Sequence, residues 1–255
     1  MLHVERHGAP TGAPPLLIAH GLFGSARNWG VIARRLSQAR EVIAVDMRNH
    51  GSSPWCATHG YPDLAADLAE VIAAHGGQAD VLGHSMGGKA AMALALAHPG
   101  RVRRLVVADM APVAYGHTQA HLIAAMCALD LAGLTRRSEA DAALAAHVED
   151  AGVRAFLLQS LDLKASPPAW RLNLDVLAAE MPRILGWPEI AGRFEGPALF
   201  LAGALSQYVL PEHRAVIRAL FPAATIARIP GAGHWLHADK PREFEAAVAA
   251  FLEAG

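Results

Sequence analysis

Short runs of apolar residues recur along this chain of 255 residues: "LLIA" (16–19), "VIAV" (42–45), "DVLG" (80–83), "LVVAD" (105–109), "ALFLAG" (198–203) and "TIARIP" (225–230). Each is strand length and almost free of polar side chains. A strand with one wet face alternates, whereas one apolar throughout must be covered on both faces, as in a parallel sheet. Helical patterns lie between the runs. "DLAADLAEVIAAHGG" sets Leu64, Leu68, Val71 and Ile72 on one stripe and ends at Gly76, and "REFEAAVAAFLEAG" does the same with Phe244, Val248, Phe251 and Leu252. Parallel neighbours need a crossover, usually a helix. The alternation therefore predicts an α/β fold: a mostly parallel sheet of about seven strands with helices on both faces. "LHVERH" (2–7) alternates and predicts one exposed edge strand at the N-terminus.

The rhythm breaks between about 114 and 190, where the patterns are helical and no convincing strand is visible. The expected organisation is a core of residues 1–113 and 191–255, with a helical cap (lid) of 114–190 inserted between two strands. At this length about three quarters of the unfolded surface can be buried, so no disulfide or metal staple is required. Cys56 and Cys127 stand outside any CxxC or Cys/His metal spacing and read as reduced thiols. A net charge of −1 argues against a nucleic-acid surface. No signal-peptide pattern is visible, and the longest apolar run, "AAMALALA" (90–97), is too short to span a bilayer. The expectation is a soluble cytoplasmic protein, monomer or homodimer, with a small-molecule partner and no cofactor.

Chemistry concentrates where the strand runs end. "GHSMGG" (83–88) places Ser85 between glycines, after a strand and before the helical "GGKAAMALALAHP". A strand–turn–helix context makes Gly-x-Ser-x-Gly a nucleophile signal, because the sharp turn holds the hydroxyl clear of the backbone. An attacked carbonyl also needs donors for its oxyanion. The Met86 N–H is one candidate. The loop "AHGLFGSARNW" after the first central strand supplies the other, with Leu22 preferred and Phe23 second.

Of fourteen histidines, His234 in "GAGHWLHADKP" follows the last strand and precedes a helix, which puts it at the same sheet edge as Ser85. It is the candidate base. His237 and His84 read as structural. His117 and His121 have helical i, i+4 spacing but lack the acid of a zinc motif, so no metal is expected. The loop "GALSQYV" after the penultimate strand holds no aspartate; Ser206 stands where one is usual. Asp109, ending an earlier strand, is the candidate acid, with Ser206 an accessory hydrogen-bonding partner. Asp46, Arg48, Asn49 and His50 in "DMRNHGSSP" read as a hydrogen-bonded turn, and Lys89 as a packing or pairing residue.

The order Ser, acid, His, with GxSxG after a strand and "HG" after an earlier one, resembles the α/β-hydrolase superfamily over essentially the whole chain. "HGLFGS…NW", "D…RNHGSSP", "GHSMGGKAAMALAL…HP", "GALSQYV" and "AGAGHWLHADKP" resemble the YbfF-type esterases. The resemblance implies a serine esterase acting on short- to medium-chain acyl esters and thioesters, a helical cap over the site, and an acid at Asp109 with a serine at 206 in place of the usual aspartate. Met110, Leu122, Met126, Leu157, Leu161, Trp187, Tyr208 and Trp235 are expected to line the substrate pocket. A carbon–carbon bond hydrolase, a perhydrolase or a hydrolase-fold receptor with little turnover could carry the same residues. A dehalogenase or epoxide hydrolase would need a carboxylate at position 85.

Overall fold

The computed structural model describes residues 1–254. Its strands are β1 (Val4–His7), β2 (Leu16–Ala19), β3 (Val42–Val45), β4 (Ala79–His84), β5 (Val102–Ala108), β6 (Leu161–Asp162), β7 (Ala169–Trp170), β8 (Ala198–Gly203) and β9 (Ala224–Ile229). Seven form one sheet in the order β1-β3-β2-β4-β5-β8-β9. Only the edge strand β1 runs antiparallel to its neighbour. The predicted α/β architecture and the single N-terminal edge strand are what the chain forms. β2, β3, β4 and β8 are buried at every position, as all-apolar runs require. β9 is the opposite edge and is mostly half-exposed.

The helices Tyr61–Ala74 and Met86–Ala97 pack on one face of the sheet, while Gly30–Leu36 and Pro241–Glu253 cover the other. In the first, Leu64, Leu68, Val71 and Ile72 are all buried. Each contributes about 1.5–3 kcal/mol by leaving water. Phe244, Val248 and Leu252 do the same for the last helix. Phe251 is only half-buried, under the Arg104 guanidinium. Met86–Leu96 is buried on every side. Its alanines and glycines let it sit between the sheet and the elements above it.

The segment between β5 and β8 is not purely helical. It holds helices Ala120–Ala128, Arg137–Leu144, Ala151–Leu157, Leu174–Ala179 and Met181–Leu185, and also the two-residue strands β6 and β7, paired antiparallel. So short a ribbon carries too few residues to show period-two alternation, and the sequence gives no warning of it. The chain leaves and regains the core at one place: the Tyr115 N–H donates to the Leu185 carbonyl at 3.0 Å. Lys89 Nζ donates to the same carbonyl at 2.8 Å and to that of Gly186 at 2.6 Å.

Candidate active site

Sheet register sets the site. β4 and β5 are paired so that His84 lies beside Ala108. The next residues, Ser85 and Asp109, therefore leave adjacent strands side by side at the carboxyl edge. Both turn sharply, with positive φ of 54° and 50°. Backbone bonds hold those turns: the Ser85 N–H donates to the Ala108 carbonyl at 3.1 Å, and the Asp109 N–H to that of Leu201 at 2.9 Å. Left-handed backbone at a non-glycine residue costs roughly 1–3 kcal/mol and persists only where its surroundings over-determine it. The glycines of the motif answer a different need. A Cβ on Gly83 would strike the Gly87 carbonyl and come within 2.8 Å of Gly88 Cα, and one on Gly87 would strike the carbonyls of Ala19 and His20. The elbow packs against its own strand and against β2 too closely for any side chain there.

His234 arrives from the loop after β9. Its Nε2 lies 3.0 Å from Ser85 Oγ and its Nδ1 2.8 Å from Asp109 Oδ2. Asp109 is fully buried. Its Oδ1 accepts the Gly203 N–H at 3.0 Å, and Oδ2 also accepts a short hydrogen bond from Ser206 Oγ. Ser206 Oγ in turn accepts the Tyr208 N–H at 3.2 Å. Ser206 therefore acts on the carboxylate rather than on the imidazole. With Asp109 accepting only, His234 carries its proton on Nδ1, and Nε2 offers a lone pair to the Ser85 hydroxyl. The Tyr208 ring stacks on the His234 ring at 3.9 Å, and His84 Nε2 donates to the His234 carbonyl at 2.9 Å.

Leu22 and Met86, the residues expected to supply oxyanion donors, both line the cavity above Ser85. Met86 opens the helix after the elbow, so its N–H has no acceptor inside that helix. Leu22 lies in the turn after β2, and its N–H meets no acceptor among the described residues. Phe23, the second choice from the sequence, is already committed: its N–H donates to His50 Nε2 at 3.1 Å.

The cavity above Ser85 measures about 230 Å³ and is mostly apolar. Of the residues expected to line a substrate pocket, Met110, Leu122, Tyr208 and Trp235 line this cavity. Met126, Leu157, Leu161 and Trp187 do not. Met126 and Leu157 are fully buried in the hydrophobic core, Leu161 nearly so, and Trp187 packs beside Tyr61 with ring centres 6.4 Å apart. The lining comes instead from Tyr115, Val153, Phe156, Ile184, Leu185 and Lys89. On helix Ala151–Leu157 the lining falls one residue from the expected Leu157: Val153 and Phe156, three apart, border the cavity, and Leu157 is buried in the core. An amphipathic pattern marks an apolar stripe but does not say which neighbour the stripe meets.

The turn residues Asp46 and Arg48 have structural partners. Asp46 accepts the N–H groups of Ala26 and Ser52, both at 2.8 Å, and Arg48 grips Asp67 with two bonds of 2.6 and 2.8 Å. Lys89 is nearly inaccessible, with no carboxylate partner among the described residues; carbonyls and the Tyr115 ring at 4.8 Å surround it. Burial pushes its pKa down to about 7. His117 lies against the rings of Tyr115 and Tyr208. Among the described residues no cluster of His, Cys, Asp or Glu could hold a metal ion, and no helix is long and apolar enough to cross a membrane.

Buried histidines crowd the site. Desolvation lowers His20 and His237 to about 4, His50 to about 3, His59 to about 2, and His84 well below its ordinary value. In the unfolded chain these rings protonate near pH 6.5. Between pH 6.5 and about 4 the unfolded state binds more protons, so stability is greatest above 6.5 and is lost as the pH falls. Each such ring contributes roughly 1 kcal/mol per pH unit in that window. The urea midpoint should therefore drop steeply from pH 6.5 to 4.5; a midpoint constant over that range contradicts the neutral, buried assignment.

An elbow serine, a histidine and a buried aspartate in hydrogen-bonding sequence, beside free backbone donors, define the layout of a serine hydrolase. A family model described as the alpha/beta hydrolase fold matches residues 14–241, and the chain belongs to that family. It is 43% identical over 248 residues to the mouse protein named sn-1-specific diacylglycerol lipase ABHD11, covering 94% of this chain and 81% of that one. It is 41% identical over 241 residues to esterase YbfF of Escherichia coli (strain K12), covering 93% and 92%. A solved structure described as a marine microorganism esterase superposes with a TM-score of 0.93 at 36% identity, covering 98% of each chain.

Proposed function

We infer that this protein is a serine esterase that hydrolyses short- to medium-chain carboxylic esters and thioesters through an acyl-enzyme. The observation that carries this reading is the unbroken line Asp109–His234–Ser85, at 2.8 and 3.0 Å, ending in a small apolar cavity with two uncommitted backbone N–H groups. Ser85 Oγ attacks the ester carbonyl as His234 Nε2 takes its proton. The N–H groups of Met86 and Leu22 hold the oxyanion. The imidazolium then protonates the departing alcohol or thiol. In the second half His234 takes a proton from water, the hydroxide attacks the acyl-enzyme, and Ser85 is regenerated with release of the acid. Asp109 holds the Nδ1–H tautomer and offsets the positive charge.

The segment 114–190 acts as a cap that sets acyl size, since Leu122, Val153, Phe156 and Leu185 close the cavity above the nucleophile. Such an apolar space suits acyl chains rather than sugars or polyanions. Aryl esters of two to ten carbons test the reading, with a diacylglycerol added because the mouse relative is named for one. Turnover falling off beyond a limiting chain length is expected; saturable binding with no turnover overturns it. Ser206→Ala should lower kcat no more than about tenfold, the worth of one hydrogen bond, about 1 kcal/mol. A loss greater than that of Asp109→Asn would transfer the acid's supporting role to the serine.

A further inference from the structure

The second oxyanion donor raises a question of its own. Leu22 and Phe23 are consecutive in one tight turn, yet only Leu22 keeps its N–H free. Phe23 has a positive φ of 64°, a conformation that bulky side chains avoid. Two side chains hold it there: the His50 imidazole accepts the Phe23 N–H at 3.1 Å, and the Ser160 hydroxyl donates to the Phe23 carbonyl at 2.9 Å. His50 belongs to the turn after β3, outside the triad, and is fully buried.

We propose that His50 is a positioning residue of the oxyanion hole: by accepting the Phe23 N–H it fixes the turn in which the Leu22 N–H faces the substrate oxygen. The proposal rests on the esterase reading above.

The tautomer is set by geometry. His50 Nε2 accepts from Phe23, so the proton lies on Nδ1, which donates to the Arg48 carbonyl at 2.9 Å. A neighbouring imidazole, 5.4 Å away between ring centres, touches the other donor residue. Asn49 Nδ2 donates to His59 Nδ1 at 3.3 Å, leaving Nε2–H of His59 to face Met86 Sδ at 3.2 Å. Asn49 is held in turn, since its Oδ1 accepts the Cys56 N–H at 2.7 Å and the Asn173 amide at 3.1 Å. Two adjoining buried rings thus contact the two chain segments that supply the oxyanion donors. The low pKa of His50, about 3, keeps its Nε2 lone pair available at working pH. A protonated ring would set donor against donor at Phe23.

Two substitutions separate positioning from packing. Asparagine places its amide near Nδ1 and cannot reach Phe23; glutamine places its oxygen near Nε2. With sites counted by an organophosphonate, His50→Asn should lower kcat for an aryl ester about 10–100-fold, less than loss of a whole donor. KM should stay within about threefold of wild type. His50→Gln should recover most of the loss. Affinity for an aryl trifluoromethyl ketone, whose adduct carries an oxyanion, should fall in parallel with kcat/KM. The proposal is overturned if the Asn variant turns over within threefold of wild type, or if both variants lose activity alike. Should the Asn variant not fold, two-bond ¹⁵N–¹H spectra of the wild-type protein decide: a protonated Nε2 on His50 excludes it. A wild-type enzyme inert toward every ester would instead defeat the esterase reading, which is a different outcome.

Discussion

Ser85→Ala is expected to abolish ester turnover, lowering kcat by about 10⁵–10⁶-fold, the scale seen when a triad nucleophile is removed. The size follows from how little else can attack. Among the described residues no other hydroxyl is hydrogen-bonded to His234, and any residual rate should come from water reacting with substrate held beside the proposed Met86 and Leu22 donors. The fold should not suffer. Ser85 Oγ makes one hydrogen bond, to His234 Nε2, and the turn is held by backbone bonds of Ser85 to Ala108 and Lys89. Thermal denaturation within a few degrees of wild type, together with loss of labelling by an aryl phosphonate, gives the check. Turnover retained within tenfold by a folded variant would remove Ser85 from the chemistry.

Asp109→Asn should come next, at about 10³–10⁴-fold in kcat, as for other triads whose aspartate is amidated. The surroundings dictate which way the amide sits. Oδ1 stays with the Gly203 N–H, so the NH₂ falls where Oδ2 was, facing His234 Nδ1 and Ser206 Oγ. An N–H aimed at Nδ1 forces the imidazole into the Nε2–H tautomer, which cannot take the serine proton. KM should change little, because Asp109 does not line the cavity. A pH–rate profile adds a second readout: activity lost at neutral pH should not return on moderate acidification, since the fault is tautomeric. A loss below tenfold would show that His234 is supported by something else.

How much of this was legible in the sequence depended on how local each signal was. Buried parallel strands announce themselves as unbroken apolar runs, so the sheet could be read directly. Ser85, Asp109 and His234 each end or follow such a run, and a parallel sheet collects those ends at one edge. The lining of the cavity was harder. Leu122 lines the cavity and Leu157 does not, although both sit on apolar stripes, because only tertiary packing distinguishes a stripe facing a void from one facing the core. The sequence marks His50 only as part of a hydrogen-bonded turn. Its contact with Phe23 spans 27 residues, and no spacing rule reaches across that gap. Lys89 stands out in the sequence as a charge inside a helix, but its carbonyl partners lie nearly a hundred residues away.

The junction at Tyr115, Leu185 and Lys89 has an evolutionary consequence. A detour whose two feet are bonded together is, for the sheet, a closed loop, and the entropy of closing a loop rises only slowly with its length. Helices between those feet can be lengthened or shortened at small energetic cost so long as Ser160, Arg171 and Asn173, which bond Phe23, Gly51 and Asn49, stay in place. Diversification of this scaffold toward new acids or alcohols is therefore easiest in the helices from Ala120 to Leu157, and a graft that leaves residues 160–173 in place is the way to begin.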